Sequence, residues 1–333
     1  MRGQVVVITG ASAGVGRATA AAFAREGARV GLLARGRAGL DAAAEEVEAL
    51  GGQALAIPTD VAEPEGVEAA AARVEEELGP LDVWVNNAMT SVFSPVQEIT
   101  PEEYRRVTEV TYLGYVHGTL SALKRMSRRD RGVIINVGSA LAFRSIPLQS
   151  AYCAAKHATQ GFTESLRAEL LHDGSGVRLT EVHLPALNTP QFRWVRSRLP
   201  EKAQPMPPIF QPEVAAEAIR FAAHHHRRHW WVGAAAFGTA VGNRVAPGYL
   251  DRVLARDGYE GQQTGEDAEG GPDNLWTPLD DAEDYGARGP FDARSADRSL
   301  HVWASRNRGT LGAVGAAVAG GLAAALLHRE WTQ

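Results

Sequence analysis

Val5-Val-Val-Ile-Thr-Gly-Ala-Ser-Ala-Gly-Val-Gly16 opens the chain with an apolar run that passes straight into a glycine-rich turn. Val15–Glu26 then reads as a helix, so Gly10, Gly14 and Gly16 lie between a strand and a helix. Glycine there permits a tight turn and a close approach to the helix N-terminus, where amide groups and the macrodipole favour a diphosphate. Working outward, short apolar runs recur at Val30–Leu33, Ala54–Ile57, Val83–Asn86, Val133–Val137 and Val177–His183. Helical stretches separate them at Ala38–Leu50, Pro64–Leu78, Pro101–Met126 and Ala151–His172. Pro64 and Pro101 fall where a first helical turn tolerates proline, and Thr100 is placed to cap the second of these helices. The alternation predicts βαβ units: an α/β, doubly wound, Rossmann-like domain with a parallel sheet. A helix over Pro212–Ala223 and a strand over His229–Gly233 complete it, giving one domain over residues 1–240.

Size and composition agree with that reading. A chain of 333 residues, 45% hydrophobic and 22% charged, can bury a substantial core. A net charge of −5 lacks the basic footprint of a nucleic-acid binder. The single cysteine, Cys153, excludes an intrachain disulfide and suits a reducing, cytoplasmic setting. It adjoins Tyr152, but neighbouring helical positions diverge by about 100°, so it is expected to face away from any site there. No secretory signal is read ahead of the first strand, which is short and runs directly into the turn.

Beyond residue 240 the texture changes. Positions 251–300 hold thirteen acidic residues against five arginines and show no lasting hydrophobic period. Residues 241–305 therefore read as an irregular acidic extension, disordered or laid along the domain, with Asn274-Leu-Trp276 and Tyr285 as apolar anchors. Residues 306–333 contain an uncharged run of 19 residues, Gly309–Leu327. Nineteen helical residues at about 1.5 Å each reach roughly the thickness of a bilayer core. The run is mostly Ala and Gly, however, so a membrane helix and a helix docked on protein both stay open.

The chemistry-bearing stretch is Ser150-Ala-Tyr-Cys-Ala-Ala-Lys156, with Ser139 thirteen residues before the tyrosine. Residues i and i+4 share a helical face, which brings the Lys156 amine toward the Tyr152 phenol. A nearby cation is expected to lower a phenol pKa toward the working pH, and such a phenol exchanges a proton with a substrate oxygen. Ser139 can hydrogen-bond the same oxygen. The run His224-His-His-Arg-Arg-His229 has no accompanying cysteine or carboxylate and reads as a solvated helix end, so no metal is expected.

Gly10, Gly14 and Gly16, then Asp60-Val61, Asn86-Asn87-Ala88, Ser139, Tyr152 and Lys156 together resemble the short-chain dehydrogenase/reductase family. The resemblance runs from about Gln4 to Gly233, with Pro185-Ala-Leu-Asn-Thr189 a looser match. It implies a nicotinamide cofactor cradled by Gly10, Ser12, Gly14, Val15 and Gly16. Asp60 and Val61 would flank the adenine, and Asn86, Asn87 and Ala88 would lie beside the cofactor. Pro185 and Thr189, with Tyr152 and Lys156, would complete the nicotinamide end, Thr189 reaching the carboxamide and Lys156 the ribose. The implied reaction is hydride transfer between nicotinamide and a carbonyl or carbinol carbon held by Ser139 and Tyr152.

Three departures and choices follow. Thr111 stands where the family often carries the asparagine that organises a proton-relay water, Met89 where glycine is usual, and Ala186 where glycine is common. The second strand ends Leu32-Leu-Ala-Arg35 with no carboxylate before Asp41. Arg35 and Ser12 can therefore pair with a 2′-phosphate, which favours NADP over NAD. The stretch from Pro190 to Pro212 carries Phe192, Trp194, Met206, Ile209 and Phe210 and is expected to lid a bulky hydrophobic substrate, with Phe93 and Phe143 adding to the pocket. A homo-oligomer is expected by resemblance. The alternatives to an NADP-dependent oxidoreductase are a cofactor-sensing binding protein with little turnover, favoured by Thr111, and a membrane-tethered interaction protein.

Overall fold

A computed structural model describes residues 3–268 and 270–308. Seven parallel strands form the sheet: β1 (Val5–Thr9), β2 (Arg29–Ala34), β3 (Gln53–Pro58), β4 (Leu81–Asn86), β5 (Gly132–Ser139), β6 (Val177–Leu184) and β7 (His229–Trp231). Their spatial order is β7-β6-β5-β4-β1-β2-β3. The chain thus starts mid-sheet, winds out to β3, and returns past β1 to build the other half. That reversal opens a crevice at the carboxyl ends of β1 and β4, where open α/β sheets take ligands. The fold is the doubly wound, Rossmann-like one that the alternation predicts.

The uninterrupted apolar run of β1 has a direct cause. Val6 and Ile8 enter one core with Phe23, Leu40 and Ile219, while Val5 and Val7 enter the other with Val74, Met126 and Ile134. A strand covered on both faces favours a near-continuous apolar run over alternation with polar residues. Helices α1 (Gly14–Ala24) and α2 (Arg37–Ala49) cover the first face. On the second lie α3 (Pro64–Leu78), α5 (Gly114–Met126) and α6 (Ser150–His172), with α4 (Pro101–Thr108) packed on α6, and α7 (Pro212–His224) returns to the first. Thr100 caps α4 in a capping box, its Oγ1 accepting from the Glu103 amide at 3.3 Å while the Glu103 carboxylate accepts from the Thr100 amide at 2.9 Å. The single helix expected over Pro101–Met126 is divided by a π-helical turn, Glu109–Leu113, and Thr111 sits inside it. Such turns widen the spiral locally and redirect side chains.

One polar cluster inside this core is knit together by side-chain hydrogen bonds. Asn86 Oδ1 accepts from Trp84 Nε1 at 2.7 Å, and its amide donates to Thr119 at 2.9 Å and to Asn136 at 2.8 Å. Asn136 in turn donates to Thr163 at 2.9 Å, tying β4, β5, α5 and α6 together.

The acidic extension lies along the domain. Helix α8 (Ala234–Val245) runs through the boundary expected at residue 240, and α9 (Pro247–Asp257) follows. Gln263–Asp267 pairs antiparallel with Glu201–Ala203, and Ser295–Ala296 pairs parallel with Ile209–Phe210. Asn188, in the loop after β6, accepts from the Phe291 amide at 2.9 Å and donates to Asp292 at 2.9 Å. Leu275 is fully buried against Val92, Val107 and Ala151, whereas Trp276 is half exposed. Tyr285 meets Trp194 edge-on with ring centroids 4.8 Å apart. The described chain closes with α10 (Leu300–Arg306). The run Gly309–Leu327 lies outside the described residues, and among those described no helix is long and apolar enough to cross a membrane.

Candidate active site

One cavity of about 750 Å³ opens over the carboxyl ends of the central strands and joins the expected cofactor and substrate residues. At its nucleotide end lie Gly10, Ser12, Gly14 and Val15 of the turn, with Arg35, Asp60 and Val61. Asn87, Ala88, Pro185 and Thr189 line it further along, and Ser139, Tyr152 and Lys156 stand at its centre.

The turn has its shape because glycine is required at two kinds of position. Gly10 and Gly14 adopt φ of +66° and +58°, in the left-handed region that side chains disfavour. Gly16 is limited by space: a Cβ there would run into the Gly10 carbonyl and stand 2.7 Å from Asn87 Nδ2. Thr9 Oγ1 accepts from the Asn87 amide at 2.9 Å and the Ala88 amide at 3.1 Å, locking the turn to the loop after β4. Asn86 is different from its neighbours. Its carboxamide is consumed by Trp84, Thr119 and Asn136, so it braces the core and does not line the cavity as expected.

Ser139 ends β5, and its Oγ accepts from the Leu141 amide at 3.1 Å. Tyr152 and Lys156 share a face of α6. The Lys156 amine donates to the Val137 carbonyl and to the Tyr115 hydroxyl, each at 2.8 Å. It lies 4.4 Å from the Tyr115 ring centroid and 5.6 Å from that of Tyr152. Burial lowers the Lys156 pKa to about 7. Burial also raises the Tyr152 phenol above its ordinary range, against a hydrogen bond from Ser139. This corrects the expectation of a phenol made acidic by the lysine. The amine is itself desolvated and spends its hydrogen bonds on Tyr115 and Val137.

Tyr115 was not among the residues picked out of the sequence. Its position four residues after Thr111 on the helix opposite α6 was the available signal. Thr111 turns its Oγ1 to backbone, donating to the Thr90 carbonyl at 2.9 Å and accepting from the Thr90 amide at 3.0 Å.

The nucleotide end is closed by the extension. The Arg35 guanidinium donates to the carbonyls of Asn274, Leu275 (3.4 Å) and Trp276 (2.9 Å). Arg106 donates to the Leu275 carbonyl at 3.0 Å and to Asp60 at 2.5 Å. Burial, and then the charge of Arg106, hold the Arg35 pKa below its usual value.

At the other end Phe93, Phe192, Trp194 and Met206 line an apolar chamber. Phe143 faces His183 and Trp231 instead, with ring centroids 4.8 Å away in each case. Ile209 and Phe210 serve the small sheet with Ala186–Leu187 and Ser295–Ala296. Helices α8 and α9 add Ala235, Thr239, Leu250 and Val253 to the chamber wall, which composition alone did not reveal.

Behind the site, on β6 and β7, Glu181, His183 and His229 bring potential ligand atoms within 4.8 Å of one another. His183 Nε2 and His229 Nδ1 are hydrogen-bonded at 2.9 Å, and the Arg167 guanidinium stands 3.9 Å from Glu181. His224, from the expected solvated helix end, ends α7 and pairs with Glu26 at 3.1 Å. Burial pushes the Glu181 carboxyl up to about 8 from 4.5, and lowers His229 to about 4. A carboxyl raised on folding contributes stability that is present below pH 4.5 and lost as pH climbs through about 8. Glu181→Gln carries no such proton. Its thermal midpoint relative to wild type is therefore expected to be higher at pH 9 than at pH 5. A pH-independent difference would mean that Glu181 is already ionised in the fold.

Residues 4–199 match the family model for short chain dehydrogenase, and the chain belongs to that family of oxidoreductases. The chain is 36% identical over 264 residues to the uncharacterized oxidoreductase YxnA of Bacillus subtilis, covering 79% of this chain and 74% of that protein. It is also similar to an alcohol dehydrogenase of the archaeon Thermococcus sibiricus solved with 5-hydroxy-NADP, at 27% identity and TM-score 0.58, over 68% of this chain and 95% of that one. A metagenomic short-chain oxidoreductase solved with NADP matches at 28% identity and TM-score 0.58, over 69% of this chain and 96% of that one.

Proposed function

We propose that this oxidoreductase uses NADP(H) to interconvert a hydrophobic carbonyl compound and the corresponding secondary alcohol. One observation carries the reading: a single cavity connects the glycine turn, the Ser139–Tyr152–Lys156 group and an apolar chamber. The residues present fit a dinucleotide. A Cβ on Gly10 would come 2.8 Å from Ala88 Cα, so glycine lets the turn lie close against the loop after β4 beside the cavity. Gly10, Ser12 and Val15 would hold the diphosphate, Asp60 and Val61 the adenine, and Asn87, Pro185 and Thr189 the nicotinamide end.

A nicotinamide held there would supply or accept the hydride. Ser139 positions the substrate oxygen, and Tyr152 exchanges a proton with it. A phenol whose pKa burial has raised is protonated at neutral pH, the form that carbonyl reduction needs as acid. Lys156, anchored by Val137 and Tyr115, would hold the ribose side of the site. Phe93, Phe192, Trp194 and Met206 exclude water and select an apolar substrate.

Two features support NADP over NAD: Arg35 at the end of β2, and the NADP-type ligands of the two solved relatives. Arg35→Asp is expected to weaken NADPH binding about 10-fold or more, equivalent to about 1.4 kcal/mol, and to spare NADH. Fluorescence titration checks this, and unchanged NADPH affinity would remove Arg35 from the site. The function itself is tested by NADPH oxidation over a panel of bulky ketones and aldehydes. Tight NADPH binding with no turnover of any of them would leave the chain a cofactor-sensing protein.

A further inference from the structure

We propose that Asp280, carried by the acidic extension, is a second determinant of cofactor choice and opposes Arg35 at the ribose 2′ position. The inference rests on the dinucleotide reading above and deepens it. Neither the end of β2 nor the turn Gly36–Gly39 carries a carboxylate. The extension brings one to that place from far along the chain.

Asp280 is only 8% exposed and lines the cavity with Ser12 and Arg35. Its Oδ1 lies so close over Gly36 that a Cβ there would collide with it. A Cβ on Gly39 would stand 2.9 Å from Asp280 Oδ2 and 3.0 Å from Ser12 Cβ. The carboxylate therefore fills a cup made by two glycines and the serine of the turn. This is the cup in which the Arg35 and Ser12 reading seats a 2′-phosphate.

The carboxylate is held there by its segment. Asp281 Oδ1 accepts from the Arg37 amide at 3.0 Å, and the Gly286 carbonyl accepts from the Gly14 amide at 3.1 Å. Arg17 reaches Asp284 at 3.4 Å, and Leu275 is fully buried upstream. A ribose 2′-hydroxyl offers this carboxylate a donor. A 2′-phosphate instead brings roughly two negative charges into the same cup. Arg35 attracts that phosphate while Asp280 repels it, and selectivity is the difference of the two.

The test is a fluorescence titration of the full chain with NADPH and NADH separately, at one ionic strength, for wild type, Asp280→Asn, Asp280→Ala and Asp281→Asn. Both Asp280 variants are expected to raise the ratio of NADPH to NADH affinity about 10-fold. The near-isosteric Asp280→Asn keeps the packing, and Asp281→Asn should hold the ratio within about twofold, because its carboxylate serves a backbone amide. An unchanged ratio in both Asp280 variants, with thermal midpoints retained, overturns the proposal. Failure of wild type to bind either dinucleotide overturns the dinucleotide reading beneath it, a result distinct from the first.

Discussion

Tyr152→Phe is expected to lower the rate of hydride transfer about 10²–10⁴-fold while dinucleotide affinity stays close to that of wild type. The substitution removes one hydroxyl and leaves the ring that packs beside Lys156 at 5.6 Å. The proton for the substrate oxygen then has no source of comparable acidity, since the Ser139 hydroxyl is a far weaker acid than a phenol and the Lys156 amine donates to Val137 and Tyr115. Loss should fall on kcat rather than on KM, because a proton given only in the transition state is what has been deleted. Single-turnover oxidation of NADPH beside a binding titration separates the two. Retention of more than about a tenth of the wild-type rate would take Tyr152 out of the proton transfer.

Gly16→Ala should abolish dinucleotide binding and cost about 2–4 kcal/mol of stability. The reason is spatial. A methyl group at this position meets the Gly10 carbonyl and the Asn87 amide, both backbone-anchored through Thr9, so neither can retreat cheaply. Moving them would open the turn that presents the amides of α1. Gly161→Ala provides the opposite case within the same chain. Gly161 lies exposed in the middle of α6 with nothing within 4 Å of an added Cβ. That change should stabilise by about 0.5–1 kcal/mol, as expected for glycine replaced in an open helix. Thermal denaturation of both variants checks the pair, and two shifts of the same sign would refute the steric account.

The sheet was legible because inner strands such as β1 are buried on both faces and read as unbroken apolar runs. The glycine turn was legible because steric exclusion leaves one residue type at Gly10 and Gly16. Side-chain direction was less so. Asn86 and Asn87 are adjacent in sequence, yet one is spent on Trp84 and Thr119 and the other stays at the cavity. The Tyr152 environment depends on burial and on Tyr115, which only the packed helices reveal. The extension was the hardest part. Its fastening relies on single long-range bonds, such as Asn188 to Phe291 and Arg35 to Trp276, and these leave no periodic trace in the sequence.

Helix α8 touches the sheet where Phe237 meets Trp231, while Ala235, Thr239, Leu250 and Val253 of α8 and α9 face the chamber. Four small or aliphatic side chains on an outer wall can change size without disturbing the strands or the turn at Gly10. Under the proposed function, substrate range is thus free to drift, under selection or at the bench, while the turn and the strands stay constant.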